Sequence, residues 1–173
     1  MELRLKSCVI RPLALSDAIA IQRYANNRKI WLNLRDIFPH PYCLEDADSF
    51  LQHVTTEKPN TTFGIVLSSE VIGCIALQIG RDVRRRTAEL GYWLGEPFWG
   101  RSIMSEAVTE FARHCFREFD LDRIYAEPFG NNRASARVLE KAGFVCEGRL
   151  RASVFKNGQR LDSFLYARIS ERC

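Results

Sequence analysis

The residues with the clearest chemical use are Glu96-Pro97-Phe98-Trp99-Gly100-Arg101-Ser102-Ile103, which join an apolar strand candidate, Leu90 to Leu94, to a long amphipathic helix beginning near Arg101. A helix start presents unpaired backbone N–H groups and a partial positive charge, so a short loop there can cradle a phosphate. Gly100 lets the backbone come close to an anion, Arg101 adds a cation and Ser102 adds a hydroxyl. Taken alone, the same residues read better as a loop with a serine cap.

A second run alters that balance. After a strand candidate at Arg123 to Glu127 comes Asn131-Asn132-Arg133-Ala134-Ser135-Ala136-Arg137-Val138-Leu139-Glu140-Lys141-Ala142-Gly143-Phe144, and Glu89-Leu90-Gly91-Tyr92-Trp93-Leu94 stands just ahead of the first loop. In this order the segments resemble the signature of the GNAT superfamily of acetyl-CoA-dependent N-acetyltransferases, in the branch similar to the RimJ and RimL ribosomal-protein N-terminal acetyltransferases. Leu3 to Phe63 also runs in the style of that branch, so the resemblance covers nearly the whole chain. The family loop reads Arg or Gln, two residues, Gly, one residue, then Gly or Ala. Here Pro97, Gly100 and Ser102 stand at those places, and two of the three depart.

The resemblance implies acetyl-CoA as cosubstrate and no metal. It places the pyrophosphate on Trp99, Gly100, Arg101, Ser102, Ile103, Met104 and Ser105, and the pantetheine arm along Trp93, Leu94 and Gly95, in a gap between splayed strands. It gives Asn132 to the pantetheine amide and Ser135 to the sulfur, where a hydroxyl can stabilise or protonate the leaving thiolate. Read without the family, Asn132 is a good helix N-cap and Ser135 a tolerated first-turn residue. A thiol pKa near that of cysteine, about 8.5, makes a positioned hydroxyl sufficient help for the leaving group. Gly91, inside an otherwise good strand, marks either a bulge or simple packing beneath Tyr92 or Trp93.

A general base is harder to find. The RimL-like pattern has a Glu near the closing hairpin, but Val154 occupies the aligned position. Glu89 is the catalytic candidate retained, with Glu127 beside it as a surface carboxylate or a partner for Arg123 or Arg133, and His40 or Tyr42 as alternatives. A lysine ε-amine of pKa about 10.4 is neutral in fewer than about one molecule in a thousand at pH 7, whereas an α-amine near 7.7–8.0 is neutral in roughly 10–20%. A site without a strong base therefore suits an α-amine. Acceptor binding is assigned to Asn33, Asp36, His40 and Tyr42, in the loop between the first two helices. Asp36 could attract a cationic amine, and Phe38, Tyr42 and Trp31 could form an apolar wall. The same prolines and aromatics could also merely fix how the chain meets the next helix. The expected activity is direct acetyl transfer to a primary amine, foremost a protein or peptide N-terminus. The alternatives are a small-molecule amine acceptor and a non-catalytic acyl-CoA-binding domain.

The elements that must position these residues follow in simple succession. Leu3 to Ile10 suggests a first strand, Ser16 and Asp17 cap a helix through Tyr24, and a second helix runs from about Glu45 to Thr56. Thr62–Leu67 and Val71–Ile79 form a hairpin around Ser68-Ser69-Glu70, and Ala88–Leu94 is the next strand. In the long helix, Ile103, Ala107, Phe111 and Cys115 make one row and Val108, Ala112, Phe116 and Phe119 the adjacent one, so that face is core. Asn157-Gly158 supplies a type I′ turn between Phe144–Phe155 and Leu161–Ile169. The expected class is α/β (α+β): a mixed, mostly antiparallel, seven-stranded sheet with splayed central strands and about four helices, in one domain over residues 1–173.

Composition agrees, since 173 residues, 46% hydrophobic and 27% charged, suffice for one substantial core. No run approaches the roughly 20 apolar residues of a membrane helix, and Glu2, Arg4 and Lys6 interrupt any signal-peptide stretch, so a cytoplasmic location is expected. The six cysteines are scattered singly, mostly among apolar neighbours, which points to reduced, buried thiols rather than a zinc site or a disulfide scaffold. A net charge of +4 is mild, and Arg84-Arg85-Arg86 reads as an exposed loop, so nucleic acid is not an expected partner. The oligomeric expectation is a monomer or homodimer.

Overall fold

The computed structural model describes residues 1–171; Cys173 lies outside them. They form two compact units, one of Met1–Ala76 with Tyr92–Ile103, the other of Leu77–Gly91 with the chain from Met104 on.

In the first unit β1 (Leu3–Arg4) pairs antiparallel with β2 (Val9–Pro12), so the single strand expected from Leu3 to Ile10 is a small hairpin. A 3-10 turn, Leu15–Asp17, leads into α1 (Ala18–Ala25). Asp17 fixes that turn: its carboxylate accepts the Ala14 N–H at 2.8 Å and takes both arms of Arg11 at 2.8 and 2.9 Å. Next come α2 (Arg28–Trp31) and α3 (Leu44–Thr56), then β3 (Thr62–Leu67) and β4 (Glu70–Ile79). Ser68 and Ser69, at φ 50° and 70°, make the left-handed turn between these strands without a glycine. Ile21 and Ala25 of α1, Leu51 and Val54 of α3, and Val66, Val71 and Cys74 of the hairpin share one core.

In the second unit β5 (Thr87–Leu94), part of which belongs to the first, is followed by α4 (Ile103–Glu118), β6 (Arg123–Ala126) and α5 (Arg133–Lys141). The chain closes with β7 (Val145–Lys156) and β8 (Gln159–Ile169) around Asn157 and Gly158, at φ 49° and 76°. The expected rows of α4 are buried, except that Phe119 follows the helix and is half-buried. Arg84, Arg85 and Arg86 are exposed as expected, and Arg86 also pairs with Asp120 and Asp122 at 3.1 and 2.6 Å.

The strand order is β1-β2-β3-β4-β5-β6-β8-β7, and among the described pairings only β5 with β6 is parallel. The class is the expected mixed α/β fold. Among the described residues the strand count rises to eight through the two-residue β1, and the helix count to five through the single turn α2. The β5–β6 ladder stops at Glu89↔Tyr125 although β5 runs on to Leu94, which is the divergence expected of splayed central strands. Beyond its two chain neighbours, a Cβ at Gly91 would meet nothing within 4 Å, so packing beneath Trp93 does not require glycine there.

The thiols of Cys8, Cys74 and Cys115 are free and buried, but Cys43 and Cys146, also free, are exposed, against the expectation for them. Cys43 is exposed because it N-caps α3, where its backbone N–H donates to Asp46 at 2.8 Å. Cys146 lies on β7, nearly all of which faces solvent.

Candidate active site

The loop ahead of α4 is built by backbone conformation. Pro97 helps fold Glu96–Phe98 into a 3-10 turn, in which the Phe98 and Trp99 N–H groups donate to Gly95 and Glu96 carbonyls at 3.0 and 3.1 Å. Gly100 and Ser102 then take left-handed φ values of 73° and 61°, so the helix begins at Ile103 rather than near Arg101. Gly100 is exposed, and a Cβ there would meet nothing within 4 Å, so the backbone lies open to an approaching anion. The Arg101 guanidinium lies 5.9 Å from the Phe98 ring centroid. Ile103 and Met104 send their side chains into the core, leaving only their backbone N–H groups for a phosphate. The Ser105 carbonyl accepts the Thr109 hydroxyl at 2.7 Å, within α4.

The strand ahead of the loop is less open than expected. The Gly95 N–H donates to the Ile72 carbonyl at 2.8 Å, and the Leu94 carbonyl accepts the Trp99 indole at 2.6 Å. Gly95 therefore cannot give its N–H to a pantetheine arm, while the Leu94 carbonyl keeps a second lone pair. Close approach of β4 causes this: a Cβ at Gly73 would sit 2.4 Å from the Trp93 carbonyl oxygen.

In the second unit Asn132 caps α5, accepting the Ser135 N–H on Oδ1 at 3.1 Å while its own N–H donates to Phe129 at 2.8 Å. The cap uses the oxygen, so the side-chain nitrogen keeps its donor capacity and both readings of Asn132 coexist. Ser135 is half-buried in the first turn of α5. Glu89, on β5, is half-buried opposite Tyr125, and Glu127 is exposed past β6. Arg123 takes Glu147 as its bidentate partner, with one arm at 2.7 Å, rather than Glu127. Val154 pairs with Leu161, so an aliphatic side chain stands where the RimL-like pattern has a carboxylate.

Asp162 of β8 braces this region. Its carboxylate accepts the Ala152 N–H at 2.7 Å and Arg149 Nε at 2.6 Å, and its carbonyl accepts the Gly130 N–H at 2.7 Å, two residues before Asn132. Three residues of β7 oppose one of β8 here, between Leu150↔Ser163 and Val154↔Leu161, with Ala152 at φ 53° in the bulge. The Ala152 N–H first and Arg149 second hold the Asp162 carboxyl below its ordinary range.

The proposed acceptor residues lie in the first unit with different degrees of freedom. Asp36 is exposed, and His40, also exposed, stacks on Trp31 at 5.7 Å. The Asn33 amide donates to the Lys29 carbonyl at 2.8 Å, closing the end of α2. Tyr42 is the correction. It is 4% exposed, belongs to the core and packs on Phe38 at 4.9 Å, so burial rather than substrate occupies its ring. Phe38 in turn meets Trp93 edge-on at 6.1 Å.

Sequence reasoning gave no role to Glu96, Asn27 or Lys29. Asn27 Oδ1 caps α2 by accepting the Lys29 N–H at 2.8 Å, its Nδ2 donates to Glu96 at 2.7 Å, and the Lys29 ammonium pairs with the other carboxylate oxygen. Lys29 first and Asn27 second hold the Glu96 carboxyl below its ordinary range, so it is ionised at neutral pH. An Asn ahead of a short helix signals the cap. Nothing local signals a partner 69 residues away.

Residues 8–145 match the Acetyltransferase (GNAT) domain family. The chain belongs to that family. It is 33% identical to the N-acetyltransferase YoaA of Bacillus subtilis (strain 168) over 175 residues, covering 95% of this chain and 94% of that one. It is 35% identical to the ribosomal-protein-serine acetyltransferase of Escherichia coli (strain K12) over 107 residues, 62% of this chain and 59% of that one. The chain thus spans little more than half the length of that relative. Among solved structures, Mycobacterium smegmatis RimJ in complex with CoA-disulfide superposes with a TM-score of 0.86 at 25% identity, covering 99% of this chain and 87% of that one.

As a GNAT enzyme the protein is an acetyl-CoA-dependent N-acetyltransferase. Its own residues fit that cosubstrate: a left-handed, unobstructed Gly100 before a helix start, a β5 that leaves β6 after three pairs, and an Asn132 with a donor to spare. Among the described residues no group of His, Cys, Asp and Glu could hold a metal ion, and no helix is long and apolar enough to cross a membrane.

Proposed function

We propose that this GNAT enzyme transfers the acetyl group directly to the α-amine of a protein or peptide N-terminus, acting in the cytoplasm as one domain over residues 1–173. The observation that carries the choice of amine is the Val154–Leu161 pair, which removes the expected carboxylate and favours an amine that is neutral without help. Relatedness to a ribosomal-protein-serine acetyltransferase supports the same choice.

Bound acetyl-CoA supplies the acetyl group as a thioester with a thiolate leaving group. Backbone N–H groups from Gly100 to Ser105 hold the diphosphate, with Arg101 adding charge. The Asn132 amide donates to the pantetheine arm, and Trp93 and Leu94 lie beside it. The Ser135 hydroxyl holds a proton for the leaving sulfur. Asp36 and Glu89 are the carboxylates assigned to take the proton of the amine, and transfer is direct, with no covalent intermediate on the protein.

Thiol release measured against a library of amines tests the reading. Peptides with a free N-terminus should react at least about tenfold faster at pH 7 than Nα-blocked peptides carrying only a lysine ε-amine, because the neutral fractions differ by more than that. Raising the pH toward about 8 deprotonates the α-amine, so the rate should climb and then level off. If Asp36 or Glu89 is the base, its Ala variant should lose most activity at low pH and recover part of it as pH rises. Faster reaction of ε-amines, with flat profiles in both variants, would overturn the amine preference and both base assignments.

A further inference from the structure

Glu96 joins two segments that the proposed function uses separately. It opens the 3-10 turn that delivers the chain to Gly100, and its carboxylate holds both the cap of α2 through Asn27 and the first turn of α2 through Lys29. α2 runs directly into the 33–42 segment, whose Asn33 bonds back to the Lys29 carbonyl and whose Tyr42 N–H donates to Asn26 at 3.1 Å. Phe98, at the end of the same 3-10 turn, meets Tyr24 of α1 edge-on at 5.2 Å and lies beneath Arg101. The Glu96 and Lys29 side chains are 35% and 66% exposed, and an exposed pair of this kind adds little stability. Its two-pronged hold on a four-residue helix, too short to persist by itself, matters instead for position.

We propose that Glu96 is a positioning residue that ties the acceptor segment to the phosphate loop, so that loading the loop with coenzyme A orders α2 and the residues after it. This rests on the acceptor role given to residues 33–42. Ordering one segment by a ligand on another is a coupling between two sites, and it acts equally in both directions.

The test uses the full chain as wild type, Glu96→Ala and Glu96→Gln, with coenzyme A itself as the probe at saturation established by calorimetry. Hydrogen exchange of the amides in residues 28–38 should slow at least about threefold on adding coenzyme A to the wild type and not at all in Glu96→Ala. Glu96→Gln, which keeps an acceptor for Asn27 but loses the ion pair, should retain part of the effect and serves if the alanine variant is unfolded. With an amine that the library shows to be a substrate, Glu96→Ala should raise the acceptor KM about fivefold, and the acetyl-CoA KM at saturating acceptor by a similar factor, while kcat stays within twofold. Equal slowing in wild type and variants, or none in the wild type, would overturn the tether. Absence of thiol release with every amine would instead overturn the acceptor reading, leaving the exchange result to decide for Glu96.

Discussion

Replacing Gly100 with valine should weaken acetyl-CoA binding by about 30-fold, or about 2 kcal/mol. The cause is the backbone at φ 73°, since nothing within 4 Å would crowd a side chain there. A β-branched residue leaves the left-handed region, and forcing it back when the diphosphate binds costs on the order of 1–3 kcal/mol. Gly100→Ala should show a smaller loss, about fivefold. Arg101→Ala, exposed and charged, should cost only about threefold and flatten the salt dependence of binding, because an exposed charge is screened within about 8–10 Å. Calorimetry across a salt series, with melting curves to establish that each variant is folded, checks all three. Unchanged affinity in folded Gly100→Val would remove the diphosphate from this loop.

Ser135→Ala should lower kcat by about 10- to 100-fold while leaving acetyl-CoA affinity and thermal stability almost untouched. A hydrogen bond to a charged group contributes roughly 1.5–3 kcal/mol, and if it forms only as the thiolate leaves, the loss appears in kcat. The helix cap survives the change, because Asn132 accepts the backbone N–H of residue 135 and alanine keeps it. Asn132→Asp gives the complementary result. A carboxylate still caps α5, so stability should hold, but the donor for the pantetheine is lost and acetyl-CoA affinity should fall about tenfold. Full activity of Ser135→Ala at saturating substrates would return that serine to helix packing alone.

The parts of the fold legible in the sequence are those with a local cause. Asn157-Gly158 announced its turn, and the repeating apolar rows of α4 announced its buried face, since turn chemistry and helical period act within a few residues. The type and order of the elements followed from these. α2 escaped because four residues show no period, and β1 because two residues show no alternation. The helix start moved from Arg101 to Ile103 because serine at φ 61° is rare enough that no composition rule predicts it. At the site, the order of motifs brought Gly100, Asn132 and Ser135 forward, while the burial of Tyr42, the occupied Gly95 N–H and the Glu96 carboxylate all depend on partners far along the chain.

The two edges of the sheet carry a consequence for the protein at high concentration. One edge is β1, too short to recruit another chain; the other is β7, twelve residues long and largely exposed, with Val145 and Phe155 bare to solvent. A flat strand of that length would be a template for cross-β growth. The register shifts at Cys146/Gly148 and Leu150/Val154 divide it into stretches of two or three paired residues, and Arg149 and Arg151 place cations along it. An incoming strand would find no continuous row of partners, so the same bulge that Asp162 braces beside the Asn132 turn also keeps this edge from seeding fibrils.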